Sequence, residues 1–158
     1  MEKEILEIVS RSHDETFQWG QRLADLLKEG DVVALYGELG SGKTVFAQGV
    51  CAGLGVVDTV TSPSFILIQE YEGDVRVFHL DFYRLESERE VEDLDIDSYL
   101  EAGGVSIVEW ADRGERFLPD GRISVILDRI VENGRVVFEK RLVRLSGPYG
   151  RGILGLKS

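Results

Sequence analysis

Apolar positions along the chain follow two periods. Asp31 to Tyr36 (DVVALY) is a short, nearly unbroken apolar run, the signature of a strand buried on both faces of a parallel sheet. Ser12-His13-Asp14-Glu15 reads as a capping box that opens a helix. Phe17, Leu23, Ala24 and Leu27 then fall at helical spacing, and Gly30 stands where a glycine stop belongs. Glu4 to Val9 fits a short edge strand. Val45 to Leu54 continues as a helix, halted by Gly53 and Gly55. Ser64 to Tyr71 and Asp74 to Leu80 read as two strands joined at Glu72-Gly73. Ser87 to Leu100 is acidic and helical in pieces. Gly103-Gly104 breaks it, and Val105 to Trp110 (VSIVEW) returns as a strand. Arg122 to Arg129 and Arg135 to Leu145 form a hairpin around Glu132-Asn133-Gly134.

Strands interleaved with helices predict an α/β fold: a central mixed, largely parallel sheet flanked by helices, with a C-terminal β-hairpin. The 158 residues fit one domain, taken as residues 1–146. A chain of this size can bury roughly 70% of its unfolded surface, enough for a core without disulfides or structural metal. Residues 147–158 form a tail with Gly147, Gly150, Gly152 and Gly155, expected to build no core.

Composition narrows the class. A hydrophobic fraction of 43% and a charged fraction of 30% exclude a disordered chain and a collagen-like repeat. Cys51 is the single cysteine, so no intrachain disulfide forms, and a cytoplasmic location is expected. No apolar run approaches the roughly 18 residues of a membrane span. Met1-Glu2-Lys3-Glu4 does not read as a secretory signal.

The net charge is −11, unevenly spread. Residues 129–158 carry seven Lys and Arg against Glu132 and Glu139, so the acidic excess lies upstream. Glu86 to Glu101 holds eight acids and one base, Arg89; it reads as a solvated helix face or as a docking surface for a basic partner. So acidic a chain is not expected to bind nucleic acid broadly.

Gly37-Glu38-Leu39-Gly40-Ser41-Gly42-Lys43-Thr44 matches G-x4-G-K-[ST], the P-loop. Glycines allow backbone conformations in which several N–H groups converge on one phosphate, and the following helix adds its positive N-terminal end. Lys43 can reach the β- and γ-phosphates, and the Thr44 hydroxyl can ligate Mg²⁺. The motif follows a buried-type strand and opens a helix, the context it needs. A P-loop enzyme also needs carboxylates near Mg²⁺ and the attacking water. Asp81 and Glu109 each end an apolar strand, at the sheet edge where α/β folds bind ligands. Thr61-Ser62-Pro63-Ser64-Phe65 places three hydroxyls around a proline where a γ-phosphate sensor can lie. His79 reads as a packed strand residue. Guanine readout by Asn-Lys-x-Asp is excluded, because Asn133 is the single asparagine and Gly134 follows it; adenine is favoured.

Four motifs, GELGSGKT (37–44), TSPSF (61–65), HLDFYR (79–84) and EWADR (109–113), together resemble the TsaE family, also called YjeE. These are small bacterial ATPases that work with TsaB and TsaD in making threonylcarbamoyladenosine in tRNA. The resemblance runs in order over residues 12–118 and implies a P-loop NTPase fold. It implies that Lys43 and the amides of Gly37, Glu38, Leu39, Gly40, Ser41 and Gly42 hold the phosphates of ATP or ADP. It implies that Thr44 and Glu109 ligate Mg²⁺ with Asp81 in the Walker B position, and that Ser62, Pro63, Ser64 and Phe65 form the switch. Trp110 would lie beside the nucleotide, and His13 to Thr16 near the base or sugar. Ser64 stands where the family more often has threonine, which keeps the hydroxyl. Hydrolysis is expected to be slow without TsaB and TsaD. Two other readings fit the residues. One is a small-molecule kinase with Arg113 and Arg116 as a phosphate-clamping lid. The other is a binding module in which nucleotide only orders a surface.

Overall fold

The structure is a computed structural model that describes residues 2–62 and 67–157. Its strands are β1 (Lys3–Ser10), β2 (Val32–Tyr36), β3 (Ile68–Glu72), β4 (Arg76–Asp81), β5 (Val105–Glu109), β6 (Ile123–Glu132) and β7 (Arg135–Pro148). They form one sheet in the order β1-β7-β6-β2-β5-β4-β3. The three central pairings, β6 with β2, β2 with β5 and β5 with β4, are parallel. The outer pairings are antiparallel. This is the mixed sheet expected from the sequence, with its parallel part where strands are buried on both faces: β5 is buried at every position and β2 at all but Tyr36.

Helices cover both faces. On one side α1 (His13–Ala24) and α2 (Lys43–Gly53) enclose Leu23, Phe46 and Val50 against Val33, Leu35 and Ile107. On the other, α3 (Glu88–Asp93), α4 (Ile96–Leu100) and the 3-10 segment Ala111–Phe117 cover Val32, Ala34, Leu80 and Val108. Successive residues of β2 therefore serve opposite cores, as a strand's two-residue period requires. Burial pushes the Cys51 thiol up to about 12, leaving it an inert core group. Among the described residues, no helix is long and apolar enough to cross a membrane.

α1 and α2 approach closely because glycines line the contact. A Cβ on Gly49 would overlap the Phe17 carbonyl oxygen, and one on Gly20 the Phe46 carbonyl oxygen. Alanine at position 49 gains about 1 kcal/mol in helix propensity, but backbone on both sides cannot yield. Gly49→Ala is expected to lower stability by about 3 kcal/mol in urea unfolding. A loss below about half a kcal/mol would show that the helices part freely.

Three local expectations change. α1 ends at Ala24 rather than near Gly30, because Leu26 and Leu27 donate to Leu23 and Ala24 in tighter i→i−3 bonds. β5 ends at Glu109, and Trp110 turns left-handed (φ 56°) to start the 3-10 segment. The glycine-rich tail does contribute to the core. Ile153 is fully buried, with Glu4 accepting the amides of Gly150 and Leu154 and Arg151 paired with Asp31 at 2.5 Å. The hairpin turns on Asn133 and Gly134, both at positive φ, a type I′ turn whose twist suits the strands.

Candidate functional site

β2, β4 and β5 run parallel, so their C-terminal ends share one sheet edge. Asp81 and Glu109 are register neighbours there, and Leu35 of β2 pairs with Glu109. β2 leads into the glycine loop 37–42 and then α2. Gly37 needs to be glycine: its φ is 148°, and a Cβ would meet the Leu127 carbonyl at 2.5 Å. Gly42, at φ 102°, turns the chain into α2.

The loop's carbonyls face cations. Lys43 Nζ donates to the Gly37 and Glu38 oxygens at 2.5 and 2.9 Å. It also lies 3.9 Å from the centre of the Trp110 ring. Lys43 is 5% exposed, and burial holds its pKa below the ordinary range while Glu109 and Asp81 pull it back up. Arg129 donates to the Leu39 oxygen at 2.6 Å, and Arg141 to the Gly40 and Ser41 oxygens at 3.0 and 2.8 Å.

The two acids sit in different settings. Glu109 accepts the Thr44 hydroxyl at 2.9 Å on one oxygen, and its other oxygen lies 2.6 Å from His79 Nε2. Among the described residues, His79 Nδ1 is the buried side-chain polar atom with no partner, which fits the tautomer carrying its proton on Nε2. Asp81 accepts the Tyr83 amide at 2.8 Å and the Ser62 hydroxyl at 3.2 Å. Burial raises the Asp81 pKa, against the Tyr83 hydrogen bond and with a smaller upward push from Glu109.

A cavity of about 430 Å³ gathers most of the residues singled out from the sequence: His13, Leu39, Gly40, Ser41, Gly42, Lys43, Thr44, Ser62, Asp81, Glu109 and Trp110. Gly37 and Glu38 stand behind it, holding Lys43. Thr16 does not line it. It is 1% exposed, and its hydroxyl is tied to Ser10 at 2.6 Å and to the Ser12 carbonyl. Pro63, Ser64 and Phe65 of the expected switch lie outside the described residues. Sequence reasoning passed over Tyr83, Arg84 and Arg141, which line the cavity, and assigned His79 no role beyond packing. His79 was findable, since it sits two residues before Asp81 and so on the same face of β4.

A central parallel strand running through a glycine loop into a helix, with acids at the tips of the next two strands, makes this a P-loop protein of the α/β class. A family model described as "Threonylcarbamoyl adenosine biosynthesis protein TsaE" matches residues 10–151. The chain belongs to the TsaE family, whose members are involved in tRNA threonylcarbamoyladenosine biosynthesis. It is 36% identical over 129 residues to the tRNA threonylcarbamoyladenosine biosynthesis protein TsaE of Treponema pallidum, covering 82% of this chain and 96% of that one. It is 40% identical over 125 residues to the Bacillus subtilis protein of the same name, covering 78% of each. The crystal structure of YdiB from Bacillus subtilis superposes with a TM-score of 0.79 at 30% identity, covering 99% of this chain and 93% of that one.

Proposed function

We propose that this chain is a Mg²⁺-dependent ATPase that supports a TsaB–TsaD pair in forming threonylcarbamoyladenosine in tRNA. The observation that carries the reading is the convergence of Lys43, Thr44, Asp81 and Glu109 on one cavity at the end of the central strand. Mg²⁺ fits this donor set. Thr44, Asp81 and Glu109 offer hard oxygens, and Mg²⁺ typically binds one or two carboxylates together with substrate phosphates and water. Among the described residues no cluster of three or more His, Cys, Asp or Glu side chains stands ready for a metal, so phosphate oxygens would complete the shell. When bound, the ion would neutralise charge on the β- and γ-phosphates.

The side chains divide the remaining work. Lys43 binds phosphate as a point charge, and the loop amides orient it. Glu109, fixed by His79 and Thr44, holds its carboxylate in place in the cavity wall. Asp81, held by the Tyr83 amide, stays in place as the second acid. The Trp110 ring packs on the Lys43 ammonium, where it adds a cation–π contact. Less supports the kinase reading: Arg113 donates to the Leu85 carbonyl, Arg116 pairs with Glu88 at the surface, and neither lines the cavity.

The test is ATP hydrolysis by the chain alone and with TsaB–TsaD. The expected result is slow turnover alone and faster turnover with the pair. A phosphorylated metabolite would establish the kinase, and binding without turnover in either case would establish the module. The eight acids of Glu86 to Glu101 are all exposed, so they can steer a basic partner. Glu92→Lys, Asp93→Lys and Asp97→Lys together are expected to weaken binding to TsaB–TsaD about tenfold in calorimetry at low salt. The wild-type affinity should fall as salt rises, since exposed charges are screened beyond about 8 Å at physiological ionic strength. Wild-type affinity in the triple variant, flat with salt, would move the interface to the basic stretch from Arg129 to Lys157.

A further inference from the structure

Five consecutive carbonyls of the glycine loop, Gly37 to Ser41, accept hydrogen bonds from cationic side chains. Lys43 belongs to the loop's own motif. Arg129 and Arg141 come from the hairpin, about 90 and 100 residues further along the chain. They are direct register partners across β6 and β7, at the point where the register shifts between Arg129 and Ile130. Like charges facing each other across an antiparallel pair are destabilising. Among the described residues, neither guanidinium meets a carboxylate in a salt bridge. Arg141 is 7% exposed and spends its donors on four carbonyls: Gly40, Ser41, Phe138 and Lys140. Burial, with Arg129 adding to it, lowers the Arg141 pKa, the direction expected of a buried cation facing a like charge.

We propose that Arg129 and Arg141 are positioning residues, by which the β6–β7 hairpin holds the glycine loop by its carbonyls in the shape that receives phosphate. In a trans peptide the C=O and the next N–H point opposite ways, and no peptide bond here is cis. The Leu39 carbonyl, turned to Arg129, directs the Gly40 N–H away from that guanidinium. The Ser41 carbonyl, turned to Arg141, does the same for the Gly42 N–H. The Ser41 N–H is already bonded to the Glu38 carbonyl. The braced loop thus has its dipoles fixed before ligand arrives, so binding spends little free energy on ordering it. A polyanion also relieves the repulsion between the facing arginines. The inference rests on the phosphate-binding reading of the loop.

Two measurements on the full chain test it. The first is backbone order of the free protein by nitrogen-15 relaxation. Arg141→Ala is expected to lower the order parameters of Gly40, Ser41 and Gly42 from about 0.85 toward 0.6 while the interior of α2 is unchanged. The exposed Arg129→Ala, which cannot unfold the chain by leaving a buried hole, should loosen Leu39 and Gly40 alone. The second is calorimetric titration with MgADP. Arg141→Ala should weaken binding about thirtyfold and Arg129→Ala several-fold. Arg141→Lys should not rescue, because an ammonium on a shorter reach cannot span two loop carbonyls and two hairpin carbonyls at once. Unchanged order in both alanine variants overturns the brace whatever the affinities do. Wild-type affinity in Arg141→Ala or Arg141→Lys overturns it as well, leaving these arginines as general charge or as fold alone. If the wild-type chain itself fails to bind MgADP, the nucleotide reading falls and the order parameters still decide the brace.

Discussion

Lys43→Ala is expected to weaken MgATP binding at least about a hundredfold and to take turnover to background, while the free protein stays folded. The lost contact is charge-assisted and partly desolvated. Lys43 is 5% exposed, and burial already works against its charge, so the protonated form is kept there by Glu109, Asp81 and the loop carbonyls. A phosphate is a stronger acceptor than a carbonyl, so the ammonium has more to gain from ligand than from its present partners. The fold should survive because Gly37 is half-buried and Glu38 exposed, so water can reach the oxygens that Lys43 leaves. Calorimetry with MgATP and far-ultraviolet circular dichroism check both halves. Affinity close to wild type in a folded variant would end the assignment of the loop to phosphate.

The parts of this site that could be read from the sequence are those whose partners are close along the chain. The unbroken apolar run of β2, the glycine loop and the first turn of α2 are contiguous, and so is the Asn133-Gly134 turn that closes the hairpin. Asp81 and Glu109 were legible for a related reason: each is the first acid after an apolar strand, and parallel neighbours place such residues side by side. What escaped has long-range causes. Arg141 sits in a strand of mixed residues with no motif around it, and its partner loop is a hundred positions away. His79 read as packing although its place two residues before Asp81 put it on that acid's face of β4; the spacing did not give its partner, Glu109 on the neighbouring strand. In α1, apolar spacing continued to Leu27 after the backbone had left the helix, because Leu26 and Leu27 still pack on the core from a turn. Glycine content alone misjudged the tail, where one isoleucine finds a core slot and the ion pair of Arg151 with Asp31 fastens the chain around it.

The environment of Glu109 separates its role from that of Lys43. Both its oxygens are engaged, one by Thr44 and one by His79, and it is 2% exposed. On the proposed ATPase reading, such a carboxylate is fixed in place and would contribute less to holding a nucleotide than Lys43 and the loop amides. Glu109→Gln keeps the volume and can keep one of the two hydrogen bonds, but it removes the negative charge. On the proposed ATPase reading, turnover with TsaB–TsaD should fall by about a hundredfold to a thousandfold, because charge placed against the developing transition state is lost. Affinity for MgATP should fall far less than turnover, by about tenfold at most, since the loop contacts are untouched and the loss is confined to the ion's share. Asp81→Asn offers the internal comparison. Burial raises the Asp81 pKa, and Asp81 accepts from a backbone amide and from Ser62, so its substitution should disturb the Ser62 side of the cavity as well as the acid itself. Titration calorimetry alongside single-turnover hydrolysis separates the two quantities. A Glu109→Gln protein that binds MgATP poorly yet hydrolyses what it binds at the wild-type rate would make Glu109 a binding residue. The catalytic carboxylate would then have to be Asp81.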